Sequence, residues 1–379
     1  MISLILSGKT SFVFAKTEDN IFFTASSENF AKYIPKEVNK FARDNYIELI
    51  LCAEDYKTDF QLTDDDFIDI KLGEPFCIYK IGDSEQKGIY YYPLINSENQ
   101  FILLMTIIDT NHSMQYCLSN EFIDILNQID YYNIDYVFYE DEEDVIAQSC
   151  ADIFYLYNSE TETSSKVDYY DIHRRIISSM KSLEEINIEE NSNNTDANVK
   201  ERYTRSFSTD IEETGRCVKM FQLCNAQGQF SKGMCWAASV ATMVNYINGS
   251  NISAMQVCNL MNIGYDEGGD IYDKKAALLK FGLQYHICWT TLNWDKIQRN
   301  IDMKMPIAMS ATSTDGMHAV TLVGYRIVQF NRYIAIWDSA SNGGNGAMKI
   351  INYSGKYTTF RSDVSGPVFT WIESLYYYN

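Results

Sequence analysis

Cys235 lies in the segment GQFSKGMCWAAS (228–239), two residues after Gly233 and directly before Trp236, where a helical pattern begins. Trp236, Val240, Met243, Val244 and Ile247 recur at i, i+4, i+7, i+8 and i+11 as a single apolar stripe, and Gly249 supplies a stop. A helix N-terminus presents unpaired backbone N–H groups and the positive end of the dipole, and both favour a thiolate over a thiol. The residue type and its place point to nucleophilic chemistry at sulfur.

Further segments supply partners for such a sulfur. Gln229, six residues upstream, carries an amide able to donate to a developing oxyanion beside the Cys235 N–H. DGMHAVTLVGYR (315–326) sets His318 at the start of an apolar, strand-like run, and YIAIWDSASNGG (333–344) ends a second such run with Asp338. Neighbouring strands can hold a base and the group that orients it side by side. The chain has 4 histidines, of which His112 and His173 read as surface residues. His286, in LQYHICW after a helical stretch at 274–281, reads as a half-buried structural residue. No acid follows it on a partner strand, so His318 is the better candidate base.

Energies show how much the histidine has to do. Lowering a cysteine pKa from about 8.5 to about 4 takes roughly 6 kcal/mol, at about 1.4 kcal/mol per unit. A helix dipole contributes at most about 2 kcal/mol. His318 as imidazolium, close to the sulfur in a site with little water, has to contribute most of the remainder.

Cysteine, then histidine, then an acid or amide, with the last two on neighbouring strands, resembles the papain-like cysteine peptidases, and among them the staphopain group and related bacterial peptidases with short catalytic domains. The resemblance runs over most of residues 216–379. It implies an α+β fold in which the helix bearing the nucleophile packs on an antiparallel sheet. It also implies Cys235 as nucleophile, Gln229 as the oxyanion-hole glutamine, His318 as general acid/base, and Asp338 in the place usually taken by asparagine. Some related bacterial peptidases, including leader-removing ones, have aspartate there; a carboxylate favours the protonated imidazole more strongly than an amide does. A second departure is the tryptophan expected two residues beyond that position: Ser339, Ala340 and Ser341 follow Asp338 instead, and Trp337 precedes it. Gly268 and Gly269 resemble the papain-family glycines whose backbone pairs with an extended substrate, with a simple turn as the alternative. GGNGAM (343–348) reads as a hairpin loop.

At 379 residues the chain is too long for one such catalytic unit and suits two domains. Residues 216–379 hold 14 Lys and Arg against 10 Asp and Glu, net +4, whereas residues 1–215 hold 17 against 41, net −24. An acidic front half can dock on a mildly basic back half. Residues 1–155 contain the runs SLIL, SFVFA, NIFFTA, YIELILC, FCIYKI, IYYYPLI, FILLMTII and DYVFYE, with a helix expected near 119–129, so they read as a packed, strand-rich α+β domain. KLGEPFCIYKI (71–81), YYYPLI, FILLMTI and CLSNEFIDIL (117–126) resemble the propeptides of staphopain-like and streptopain-like zymogens. That implies an inhibitory half-barrel over the active site; an unrelated binding domain is the alternative. Residues 156–215, with NSETETSS and EENSNNTDAN, read as an exposed linker suited to a maturation cut. The acidic run from Glu140 to Asp144 reads as a solvated face.

Other chemistries fit poorly. The 9 cysteines include no C-x-x-C pair, and no G-x-S-x-G elbow, P-loop or H-E-x-x-H occurs, so no metal or organic cofactor is expected. A net charge of −20 disfavours nucleic acid and anionic membranes as partners, and no stretch is long enough to span a bilayer. MISLILSGKTSFVFAKTEDN lacks a basic n-region and its apolar run breaks at Ser7, Gly8 and Lys9; with 9 cysteines this reads as cytosolic, whereas the zymogen resemblance implies export.

The expectation is a cysteine endopeptidase made as a zymogen, with a peptide or protein as substrate and its own front domain as inhibitor. Its rivals are a leader-peptide or isopeptide hydrolase acting on a dedicated partner, and a catalytically silent interaction protein. On the peptidase expectation, His318→Ala abolishes alkylation of Cys235 at neutral pH, whereas Gln229→Ala slows turnover and leaves alkylation intact. Equal alkylation with and without His318 would contradict the ion pair.

Overall fold

The computed structural model describes residues 34–80, 88–110, 113–129, 136–141, 144–149, 152–157, 228–229, 233–362 and 366–377. SLIL, SFVFA, NIFFTA, nearly all of the 156–215 linker, His112 and His173 lie outside them. The architecture is α+β, as expected, with large antiparallel sheets.

The front part departs from the sequence reading in its first element. YIELILC lies inside a helix, α1 (Lys36–Glu54), rather than a strand. Val38, Ala42, Leu49, Ile50 and Ala53 are buried while Glu37, Lys40 and Asp44 are exposed, a helical period that only a window longer than seven residues reveals. Strands β1 (Lys71–Leu72), β2 (Tyr79–Lys80), β3 (Ile89–Ile95), β4 (Phe101–Asp109) and β5 (Met114–Ser119) follow. The helix expected near 119–129 is only α2 (Ile123–Leu126): Ser119, in β5, pairs with Leu104, and Phe122, left-handed at φ 62°, sets the start of the helix. Strands β6 (Val137–Asp141), β7 (Asp144–Gln148) and β8 (Ile153–Tyr157) complete the front part. Glu140 and Asp144 are buried in β6 and β7, with Lys80 paired to Glu140, so these two residues of the acidic run belong to a packed hairpin rather than a solvated face.

The back part runs α3 (Cys235–Asn248), α4 (Ala254–Met261), α5 (Ile271–Lys280), β9 (His286–Cys288), α6 (Trp294–Asp302), β10 (Ile307–Ser313), β11 (Gly316–Val328), β12 (Asn331–Asp338), α7 (Ser341–Gly344), β13 (Ala347–Asn352), β14 (Thr359–Arg361) and β15 (Val368–Tyr376). One sheet joins front and back in the order β1-β3-β4-β5-β13-β12-β11-β10-β15-β14, with β9 on β15; β2-β6-β7-β8 form a second. The junction is antiparallel, Leu118 opposite Ile350 and Cys117 opposite Ile351. The front part therefore extends the back part's sheet as extra strands.

Alternation along the strands divides the large sheet's faces. Ala308, Ala319 and Leu375 share a core with the α3 residues Val240 and Met243. Ile307, Met309, Val320 and Leu322, one residue out of phase, share another with the α1 residues Val38, Leu49 and Ile50. Helix α1 of the front part thus covers the face of the sheet opposite α3.

Buried charges cross the same boundary. Arg326, 2% exposed, takes the carboxylate of Asp55 as its partner, and Glu48 accepts hydrogen bonds from Tyr333 and Asn331. Acids of the front part meet donors of the back part, as the charge division implied. Among the described residues no helix is long and apolar enough to cross a membrane.

Removing one partner of a buried ion pair costs about 3 kcal/mol or more. Asp55→Ala is expected to lower stability by about that amount in urea denaturation. A loss under roughly 0.5 kcal/mol, the range of ordinary surface substitutions, would show that the pair contributes little.

Candidate active site

Helix α3 begins at Cys235, as the spacing predicts, and ends at Gly249 in the left-handed conformation. Its first turn is unlike those of its neighbours. Ser253 and Asp270 close capping boxes on α4 and α5, and Asn293 caps α6, whereas Met234 at the start of α3 contributes no side-chain cap. A capping oxygen would occupy the place where an anion could be held; no side-chain oxygen fills it on α3.

Two hydroxyls fix the helix on the sheet. Ser239, one turn beyond Cys235, lies 2.9 Å from Thr321 Oγ1, three residues beyond His318. Cys235 and His318 act on each other electrostatically, each favouring the charged form of the other. His318 Nε2 lies 2.7 Å from Asp338 Oδ1, with Asp338 fully buried at the end of β12, so Nδ1 is the ring nitrogen left for the sulfur. The Ala340 N–H donates to the same carboxylate oxygen at 3.0 Å and holds it in place.

Burial opposes every charge here, and the partners outweigh it. Burial raises the Cys235 pKa, but the His318 hydrogen bond and charge, the Ala319 N–H and the Lys274 charge bring it below the ordinary thiol value. Burial lowers that of His318, yet the charge and hydrogen bond of Asp338, with those of Cys235, hold it well above the usual histidine range. Asp338 is pushed up by burial and brought below the usual carboxylate range by His318, Lys349 and the Ala340 N–H. All three shifts favour a thiolate beside an imidazolium, with a carboxylate behind it.

Gln229 is buried at the same place. Its backbone N–H donates to the Ser339 carbonyl at 3.1 Å, and its Oε1 accepts from Ser339 Oγ at 3.3 Å, one residue after Asp338. Gly344, at φ +86° in the loop beyond β12, approaches the Gln229 carbonyl so closely that a Cβ would sit 2.0 Å from it. The expected hairpin loop contains this turn and the last two residues of α7. Of the glycine pair, Gly268 is exposed, while Gly269 lies against Trp236, where a Cβ would fall 2.4 Å from the indole. His286 is exposed on β9, tilted against Tyr376, rather than half-buried.

Some neighbours of the site were not foreseen. Ser362 Oγ lies 3.1 Å from His318 Nε2. Phe369 and Phe360 cover the imidazole, with ring centroids 5.1 and 6.4 Å away, in place of the missing tryptophan. Trp337, adjacent to Asp338 and so on the other strand face, packs beside Gly346. Lys349 and Lys274 act on the site from β13 and α5. These residues come from elements far apart in the chain, and no local pattern announces them. Among the described residues no group of His, Cys, Asp and Glu converges as a metal site.

Two family models match the chain. Residues 220–364 match the Peptidase_C39 like family, and residues 27–139 match the Staphopain proregion. No curated protein sequence matches the chain.

Iodoacetate is an anion drawn in by the imidazolium, so its reaction with Cys235 should remain fast while His318 keeps its proton and slow once that proton leaves. A raised histidine pKa places that fall above the ordinary value of about 6.5. Asp338→Asn removes the charge that raises it, and the fall should move to lower pH by at least about one unit, or roughly 1.4 kcal/mol. An unchanged profile would separate Asp338 from the histidine's basicity.

Proposed function

We propose that this chain, a papain-like cysteine peptidase domain joined to a staphopain-type proregion, is the zymogen of a cysteine endopeptidase. The observation that carries the reading is the histidine between a thiol and a buried carboxylate, at the uncapped start of a helix. The proposed chemistry is acyl transfer. The Cys235 thiolate attacks the peptide carbonyl, and the oxyanion is held by the Cys235 N–H and the Gln229 amide. His318 then gives its proton to the leaving amine, the C–N bond breaks, and an S-acyl enzyme remains. Water, deprotonated by His318, releases the acid and regenerates the thiol. Asp338 holds the ring so that Nδ1 faces the sulfur.

The domain limits follow this reading: residues 1–155 as an inhibitory propeptide-like domain, 156–215 as the linker that is cut, and 216–379 as the peptidase. Gly268 and Gly269 are proposed to line the path of an extended substrate.

Incubating the full chain beside its Cys235→Ala form tests the reading. Mass spectrometry should find a cut between residues 157 and 215 in the wild type alone. An uncut wild type that also fails to react with a thiol-directed peptide probe would overturn the peptidase reading. A reactive but uncut chain would point to a leader-peptide or isopeptide hydrolase acting on a dedicated partner, or to activation by another protease.

A further inference from the structure

Behind the Cys235–His318–Asp338 line lies a lysine that the acyl-transfer chemistry does not use. Lys349 is 1% exposed on β13 and bonds Glu121 Oε2 at 2.8 Å. Glu121 belongs to the front part, just after β5, and is itself nearly buried. On the peptidase side Asp338 faces Ala347 across the β12–β13 pair. Lys349, two residues further along the same strand, shares that face and is a diagonal neighbour within reach of a long side chain. The two charges do interact, each favouring the ionised form of the other.

Hydrogen-bond capacity is unfilled at both ends of this row. Asp338 spends Oδ1 on His318 and the Ala340 N–H, while Oδ2 is buried with no hydrogen-bond partner among the described residues. Glu121 Oε1 is likewise buried without one. A buried carboxylate oxygen without a donor carries a desolvation cost that a nearby ammonium would relieve. The lysine between the two carboxylates is bonded to the one that belongs to the front part.

We propose that Lys349 is a positioning residue for the candidate imidazole, acting through Asp338, and that Glu121 holds its charge in check while the front part is docked. The proposal rests on the peptidase reading above. A lysine with its counterion draws less on the Asp338 charge than a lysine without one, and more of that charge is left to the imidazolium. Withdrawing Glu121 strengthens the hold of Lys349 on Asp338, and His318 then holds its proton less tightly. Release of the front part would thus adjust the acid–base group as well as free the sheet edge. The change also suits an aspartate in the place of the family's usual asparagine, because a neutral amide would not respond to Lys349 in this way.

The other titratable groups around this line come from each element packed on it. Cys235 on α3 faces His318, Lys274 on α5 faces Cys235 and Glu373 on β15, and Cys117 on β5 faces Lys349. Arg361 on β14 bonds Tyr91 of the front part. Among these groups Lys349 is the cation whose counterion lies across the front–back boundary.

The test is the titration of His318 by NMR of histidine-labelled full chain in the Cys235→Ala background, which cannot process itself. Glu121→Gln, an isosteric change, should lower the His318 midpoint by half a pH unit or more, and adding Lys349→Met should restore it. Glu121→Asp, which keeps the charge but withdraws it from Lys349, should fall between wild type and Glu121→Gln and gives the same direction if the glutamine variant does not fold. A midpoint that stays put in Glu121→Gln, or that falls and is not restored by Lys349→Met, would overturn the proposal. Alkylation of wild-type Cys235 no faster than that of the other cysteines would instead overturn the peptidase reading, whatever the titration shows.

Discussion

The buried contact between His318 and Asp338 governs the arrangement of the site. A carboxylate excluded from water is costly, and it remains ionised only because the imidazole, the Lys349 ammonium and a backbone N–H all face it. The same carboxylate turns Nε2 inward and leaves Nδ1 for the thiol. The helix dipole alone would be too weak to ionise a nearly buried cysteine. The sulfur at the start of α3 therefore depends on a charge at the end of β12, and the fold's task is to bring those two chain ends together.

Three devices do so. Ser239 and Thr321 lock the helix to β11 in a fixed register. Gln229 and Gly344 tie the segment before the helix to the loop after β12. Phe360 and Phe369 pack against the imidazole, which is 6% exposed. The front part is integrated with this framework rather than tethered to it: β5 extends the sheet at β13, and α1 covers the face that α3 leaves open. A boundary built from shared strands, shared core and buried charge pairs ties the environment of the site to the presence of the front part.

Much of the site was legible in the sequence because its members carry local signatures. Cys235 begins an apolar stripe of helical period, and His318 and Asp338 stand at the ends of apolar runs that become paired strands. The rest depended on register and distance. Ser362, Phe369 and Lys349 reach the site through strand pairings that no single segment reveals. YIELILC reads as a strand in isolation, since seven apolar-rich residues fit either period, and only the buried positions of all of α1 decide it. Glu140 reads as solvated until Lys80, sixty residues away, is seen beside it.

Ionisation of the Cys235 sulfur at neutral pH is expected to depend on the charge of His318. A thiolate absorbs in the ultraviolet where a thiol does not, so the difference in absorbance between the full chain and its Cys235→Ala form, followed as a function of pH, measures that ionisation directly. Close to one thiolate per chain is expected at neutral pH, persisting below the ordinary thiol value of about 8.5. A difference that emerges only as the pH rises through about 8.5 would contradict it.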